Sequence, residues 1–312
     1  MIDPASLAPL VGPIVGQAGQ LALDLWPGHG HAPRIWEKGP DNPVCEADIA
    51  VDRFLHQALG DLLPEAGWLS EETVDDPARL ARELCWVVDP VDGTRDFVRG
   101  APGWAVSVAL IARGRPVLAV LDAPARDELW VAGAGLGATR NGLPLATSTR
   151  TRLEGARMPM DLRLPSGVEL TMVDKPNSIA LRMAMVASGE ADLLATWRWG
   201  YEWDIAAAAL IAQEAGATVT DAHGAGLVFN KPDPRAFGVL VSAPAIHDEA
   251  RARVAPTTAK SLRGLGNPPQ GVDLSLPVRP VAKDGAGPDG PGPDRPGPDR
   301  PGPDRPGPDR ND

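Results

Sequence analysis

Asp89 and Asp92 stand three residues apart in Trp86-Val87-Val88-Asp89-Pro90-Val91-Asp92-Gly93-Thr94, directly after a short apolar run that reads as a buried strand. A proline between them makes the turn rigid, so both carboxylates leave the strand end together. Hard divalent cations favour that arrangement of clustered oxygen ligands with little freedom. The Gly93-Thr94 step adds backbone amides and a hydroxyl, which suit a phosphate. Cation beside phosphate points to phosphoryl-transfer chemistry.

Further acids extend the set. Glu71-Glu72 follow Leu69-Ser70, Asp204 lies in Trp203-Asp204-Ile205-Ala206-Ala207, and Asp48 falls on the first turn of a helix starting near Glu46. Each alone has a plainer explanation. Paired glutamates are an ordinary solvated loop, Asp204 is a good N-cap for an alanine-rich helix, and Asp48 favours a helix dipole. Taken together they are what a site of two or three cations needs: carboxylates from several elements, a hydroxyl, and amides for the phosphate.

The elements that must position these residues follow from the apolar periodicity. Helices are expected at Leu7–Trp26 (with poorly placed prolines), at Glu46–Leu63 with Ile49, Phe54, Leu55, Ala58, Leu59 and Leu62 inward, at Ser178–Ser188, and at Asp204–Ala215 closed by Gly216. Strands are expected at Trp86–Val88, Trp104–Ile111, Pro116–Leu121, Glu128–Ala132, Ala191–Thr196, Ala217–Thr220 and Phe237–Ser242, with a glycine-rich turn region at Gly133–Gly142. The mixture predicts an α/β, α+β-type layered sandwich. Residues 1–144 read as a metal- and phosphate-binding subdomain and 145–256 as a substrate subdomain.

Beyond residue 256 the character changes. Residues 291–310 are four copies of Pro-Gly-Pro-Asp-Arg, and over 257–312 eight Lys and Arg balance eight Asp and Glu. The net charge of −11 therefore belongs to residues 1–256. Such a tail lacks the apolar surface to offset its ordering entropy and reads as disordered. An acidic chain argues against a nucleic-acid polymer as partner. Cys45 and Cys85 form no metal-binding cluster, so zinc is not expected, and a single disulfide between them stays open. With no signal peptide and no run of eighteen apolar residues, a cytoplasmic protein without a membrane segment is expected.

The set of motifs resembles the inositol monophosphatase superfamily of magnesium-dependent, lithium-sensitive phosphatases. Trp86–Thr94 meets its first motif in full, and Trp203–Ala207 with Glu214–Gly216 meets its second. Glu71-Glu72, Ala47-Asp48 and the stretch from Ser178 through Asp192 also fit, over roughly residues 10–250. The chain departs from the usual pattern at Cys45, Asn177, Ala208 and Ala217. The resemblance implies an αβαβα fold of two subdomains, two or three Mg²⁺ per site, a small phosphate ester as partner, and often a homodimer. It implies that Glu71, Asp89 and the Val91 carbonyl hold one ion and Asp89, Asp92 and Asp204 a second, with a third near Glu71. Asp48 and Thr94 would orient and deprotonate the attacking water, with Glu72 a further catalytic carboxylate. The amides of Gly93 and Thr94 would hold the phosphate, with Ser178, Arg198 and Asp204 on the substrate.

For the ester, the acid that inositol-specific members carry a few residues after the counterpart of Asp192 is missing: Leu193–Trp199 contains none. Glu202-Trp203-Asp204, the spacing from Asp192, and Leu69–Glu72 look more like the 3'(2'),5'-bisphosphate nucleotidase branch. There Trp197 or Trp199 would stack on adenine and Arg198 pair with a second phosphate. Gly100–Ser107 looks more like the inositol and histidinol phosphatase branches. A catalytically silent phosphoester-binding homologue is the alternative of another class, and the intact acidic set argues against it.

Overall fold

The computed structural model describes residues 3–39, 42–159 and 168–254. The chain opens with α1 (Pro4–Asp24), started by an Asp3 side chain that accepts from the Ala5 amide. Pro9 and Pro13 lie inside it without ending it. They are four residues apart on the exposed face, while Val11, Val15, Ala18 and Ala22 are fully buried on the other. Packing on that face outweighs the lost helical bonds. A hairpin of β1 (Ile35–Gly39) and β2 (Asn42–Cys45) leads into α2 (Glu46–Leu62).

A seven-stranded sheet follows in chain order: β3 (Gly67–Ser70), β4 (Leu84–Asp92), β5 (Ala105–Ala112), β6 (Arg115–Ala123), β7 (Glu128–Gly133), β8 (Gly137–Arg140) and β9 (Leu143–Pro144). Only β3 and β4 are parallel; the other neighbours are antiparallel. A short helix, α3 (Thr94–Val98), lies between β4 and β5. After the sheet come a parallel pair, β10 (Arg157–Met158) and β11 (Thr171–Met172), then α4 (Ile179–Ala187), β12 (Leu193–Ala195), β13 (Trp199–Tyr201), α5 (Glu202–Glu214), β14 (Thr218–Thr220), β15 (Arg235–Phe237) and β16 (Leu240–Ser242). β12, β16 and β14 form a second antiparallel sheet.

The layers run α, β, α, β, α. Trp86 and Val88 of β4 pack towards Val51, Leu55 and Leu59 of α2, while Cys85 and Val87 lie in the opposite core, on the side of α5. This strand is covered on both faces, which is why it reads as an unbroken apolar run. Ala206 through Ala212 of α5 are all buried between the two sheets, so that helix has no polar face. Beyond the second sheet, Leu193 and Leu240 pack in one core with Ile246, of the turn Pro244–Ile246, and with Ala250 and Val254 of the helical segment over 247–254.

Several expectations are corrected. The Trp86–Val88 strand continues through Asp92, so the two carboxylates are part of β4 rather than beyond it. The buried face of α2 is Ala47, Asp48, Val51, Asp52, Leu55 and Leu59; Ile49, Phe54, Ala58 and Leu62 are only half-buried. Two hydrogen-bonded acids occupy positions that the apolar pattern assigned elsewhere. The glycine-rich stretch 133–142 contains β8, and Phe237–Ser242 is two strands, not one. Cys45 and Cys85 are free and buried. The tail over 257–312 lies outside the described residues.

One buried acid, on β6, lies outside the acidic set read from the sequence. Asp122 of β6 is 7% exposed and faces α1 at Gly19, where a Cβ would lie 1.8 Å from its Oδ2. Burial pushes its carboxyl up to about 7, and Asp127 adds to the effect. The folded protein thus keeps a proton that the unfolded chain releases near pH 4. The resulting stability is complete below that pH and is lost as pH rises towards 7. Asp122→Asn removes this loss, which amounts to at most about 4 kcal/mol for a shift of this size. The melting temperature of the variant is expected to match the wild type near pH 4 and to exceed it by several degrees at pH 8. An offset independent of pH would show that Asp122 is ionised and solvated when folded.

Candidate active site

The site forms at the carboxyl end of β4. Residues three apart on a regular strand face opposite ways. Here Asp89 pairs with Ser107 and Asp92 with Ala105, so the register shifts and an extra residue bulges. The bulge turns both carboxylates to the same face, towards α4 and α5. Asp89 Oδ1 accepts from the Val91 amide at 3.1 Å, which holds the turn.

Asp92 is seated on the start of α4. It accepts from the Ser178 hydroxyl, from the Ala180 amide at 2.8 Å and from the Ile179 amide at 3.4 Å. Gly93 takes φ +94°, and an added Cβ would lie 2.7 Å from the Gly103 carbonyl oxygen and 2.8 Å from the Ser178 nitrogen. Only glycine combines that backbone with that space. Thr94 then opens α3, its Oγ1 3.0 Å from the Val91 carbonyl oxygen and 3.3 Å from Asp48 Oδ1.

Asp48 and Asp204 are placed by the same device. Each is the third residue of its helix and accepts from the amide of the N-cap residue. Asp48 Oδ2 takes the Cys45 amide and thiol, both at 2.8 Å. Asp204 Oδ2 takes the Tyr201 amide at 2.9 Å. Asp204 is therefore not the N-cap, a position held by Tyr201. Glu71 follows directly after β3, and its amide donates to the Val88 carbonyl at 3.3 Å. Parallel pairing of β3 with β4 carries the acidic pair alongside Asp89.

These acids act on one another. Burial holds the Asp89 carboxyl well above the usual range, and the charges of Glu71, Asp92, Asp204 and Asp48 raise it further. Asp204 is raised likewise, by burial and then by Asp92 and Glu71, against relief from the Tyr201 amide and Arg198. Asp92 is pushed up to about 6 by burial, although Ser178, Ala180 and Arg182 favour its ionised form. Among the described residues no three His, Cys, Asp or Glu side chains already close on one point. Each of Asp48, Asp92 and Asp204 gives one oxygen to a backbone N–H donor. The donor set is all oxygen and buried or part-buried, and it fits hard divalent cations.

Glu71, Asp89, Val91, Asp92, Gly93, Thr94, Asp48 and Asp204 are thus brought to one place. Glu72 is 3% exposed, with its amide on Ser70 Oγ at 3.4 Å; the charges acting most strongly on Asp89 and Asp204 include Glu71 but not Glu72. Ser178 is fully buried, and its hydroxyl is committed to Asp92 and the Leu181 amide. Arg198 is exposed and lines a pocket of ≈ 70 Å³ beside Asp204 with Ile179, Trp199, Tyr201 and Val239. Trp197 packs instead against the cluster behind the second sheet. Trp199 meets Phe237 edge-on, and the Arg235 guanidinium lies over its ring. The sequence reasoning missed Asp52, Arg182 and Tyr201. Asp52 had a signal, an acid one helical turn after Asp48 on the same face.

A sequence profile described as the inositol monophosphatase family matches residues 13–260. The chain is 33% identical over 229 residues to an inositol monophosphatase of Dictyostelium discoideum, covering 68% of this chain and 83% of that protein. It is 31% identical over 224 residues to a histidinol-phosphatase of Chlorobaculum parvum, covering 67% and 83%. Among solved structures, the IMPase of Thermotoga maritima superposes with a TM-score of 0.68 at 27% identity, covering 81% of this chain and 98% of that one.

Proposed function

The chain belongs to the inositol monophosphatase family of metal-dependent phosphatases, and on that premise we propose that it hydrolyses a small bisphosphate, with a 3'(2'),5'-bisphosphate nucleotide such as adenosine 3',5'-bisphosphate as the substrate. It is a phosphomonoesterase by family; the ester and the residue roles are the proposal. Glu71, Asp89, Asp92, Asp204 and the Val91 carbonyl would hold Mg²⁺. Bound there, divalent cations supply a more acidic water and offset charge on the phosphate and leaving oxygens.

The chain's own groups do the rest. Asp48 Oδ2 takes the Cys45 amide and thiol, and Oδ1 faces Thr94 Oγ1 at 3.3 Å. The attacking water gives its proton to Thr94 Oγ1, whose own proton passes to Asp48 Oδ1. The amides of Gly93 and Thr94, at the start of α3, orient the phosphate. Asp92, fixed on α4, keeps β4 and the substrate segment in register.

The observation that carries the substrate reading is the pocket beside Asp204. Among its described lining residues Asp204 is the only carboxylate; Arg198 offers a guanidinium, and Tyr201 and Trp199 offer aromatic surface. A second phosphate suits Arg198 through a charge-assisted bond. Similarity to an inositol monophosphatase and a histidinol-phosphatase supports inositol 1-phosphate and histidinol phosphate as the competing substrates. Phosphate release from these three and from fructose 1,6-bisphosphate, with Mg²⁺, ranks them. Arg198→Ala is expected to raise KM for the bisphosphate about tenfold, the worth of one charge-assisted contact, and to leave a monophosphate nearly unchanged. Equal losses on both would make Arg198 structural. A wild-type preference for inositol 1-phosphate would overturn the nucleotide reading and leave the phosphatase standing.

The other partners and surroundings expected from the sequence belong to the same reading: a cytoplasmic homodimer. Among the described residues no helix is long and apolar enough to cross a membrane.

A further inference from the structure

Asp52 is a carboxylate 6% exposed on α2, one turn after Asp48 and outside the ligand set. Its two oxygens go to two hydroxyls. Oδ1 accepts from Ser70 Oγ at 2.5 Å and Oδ2 from Thr73 Oγ1 at 2.6 Å. Ser70 and Thr73 bracket Glu71-Glu72 in the chain. One buried side chain therefore grips the acidic pair on both sides, across gaps of 18 and 21 residues. Ser70 ends β3, and no helix or strand spans residues 71–76. The far end of that segment is held separately, by Arg79 on Asp75 at 2.6 Å.

We propose that Asp52 is a positioning residue that sets the Glu71-Glu72 segment for cation binding. The inference rests on the reading of Glu71 as a cation ligand. Asp52 touches no reacting atom. It acts through Ser70 and Thr73, and because it shares α2 with Asp48 it ties the Glu71 segment to the helix that carries the proton acceptor. A buried carboxylate clamp of this kind limits how far Glu71 can retreat from Asp89 under like-charge repulsion. Partners that orient metal ligands from behind are typically worth 10–100-fold in metal affinity.

The test is calorimetric titration of the full chain with Mn²⁺ alone, on Asp52→Asn, on the Ser70→Ala/Thr73→Val double variant, on the three combined, and on Glu71→Gln. Asp52→Asn keeps the size but leaves one oxygen acceptor where there were two. Mn²⁺ affinity is expected to fall about tenfold in the first two and no further in the combination, because they break the same link. Glu71→Gln is expected to weaken binding at least as much. If Asp52→Asn does not fold, the double variant carries the test alone. Wild-type affinity, within twofold, in a folded Asp52 or Ser70/Thr73 variant would overturn the proposal. So would losses that multiply in the combination. Unchanged Mn²⁺ binding in Glu71→Gln would instead overturn the assignment of Glu71 as a ligand.

Discussion

Asp89→Asn is expected to lower turnover by about a thousandfold or more while the fold survives. Asp89 lies at the centre of the acidic set: Glu71, Asp92, Asp204 and Asp48 all act on it, and burial adds to their effect. In the proposed arrangement it serves two cations at once, so the substitution weakens both nucleophile activation and charge stabilisation. The fold has no need of the charge. With no cation bound, a buried carboxylate among like charges is a liability, and the amide of similar shape relieves it. Melting in the presence of a chelator should therefore hold or rise, while the stabilisation that Mg²⁺ adds to the wild type shrinks. Near-wild-type turnover at saturating Mg²⁺ would sink the assignment of Asp89.

Gly93→Ala is expected to damage both stability and activity. At φ +94° an L side chain carries strain of roughly 1–3 kcal/mol. The new Cβ also lies 2.7 Å from Gly103 O and 2.8 Å from Ser178 N, both backbone atoms that cannot rotate away. The Ser178 amide itself donates to the Gly103 carbonyl at 2.9 Å, so relief on one side breaks that bond. Any shift moves the Asp92 seat on α4 and the Thr94 hydroxyl together. A displacement of that order costs about a hundredfold in kcat/KM, and a melting temperature lower by several degrees is expected for a domain of this size. Gly12→Ala is the contrasting control. Nothing stands within 4 Å of a Cβ there, and alanine favours the helix. Equal behaviour of the two variants would show that the left-handed turn at Gly93 is not required.

Much of the layered fold was legible in the sequence. The apolar runs that became β4 through β7 and the helices α2, α4 and α5 lie where the periodicity put them, within a few residues. The failures were of two kinds. Short pieces such as β1, β3 and β8 carry too few residues for a period to show. Buried polar positions such as Asp52 contradict the pattern until their partners are known, because a hydrogen-bonded acid can occupy a core face that an isolated one cannot.

The local constellation was determined by sequence alone. Asp89, Asp92, Gly93 and Thr94 fall within six residues, and a strand end followed by Pro-x-Asp-Gly-Thr leaves the backbone few alternatives. Asp48 and Asp204 are also held locally, by capping partners three residues away, although the sequence read Asp204 as the N-cap itself. Only the tertiary structure decided which of these groups meet. Thr94 reaches Asp48 across 46 residues and Ser178 reaches Asp92 across 86. Tertiary pairing also turned the Asp89–Asp92 bulge to one face and joined Asp52 to both ends of the Glu71-Glu72 pair. Spacing along a chain constrains a contact only as far as one turn or one strand carries it. Beyond that, the choice of partner depends on how sheets and helices close around a shared core, which no local pattern encodes.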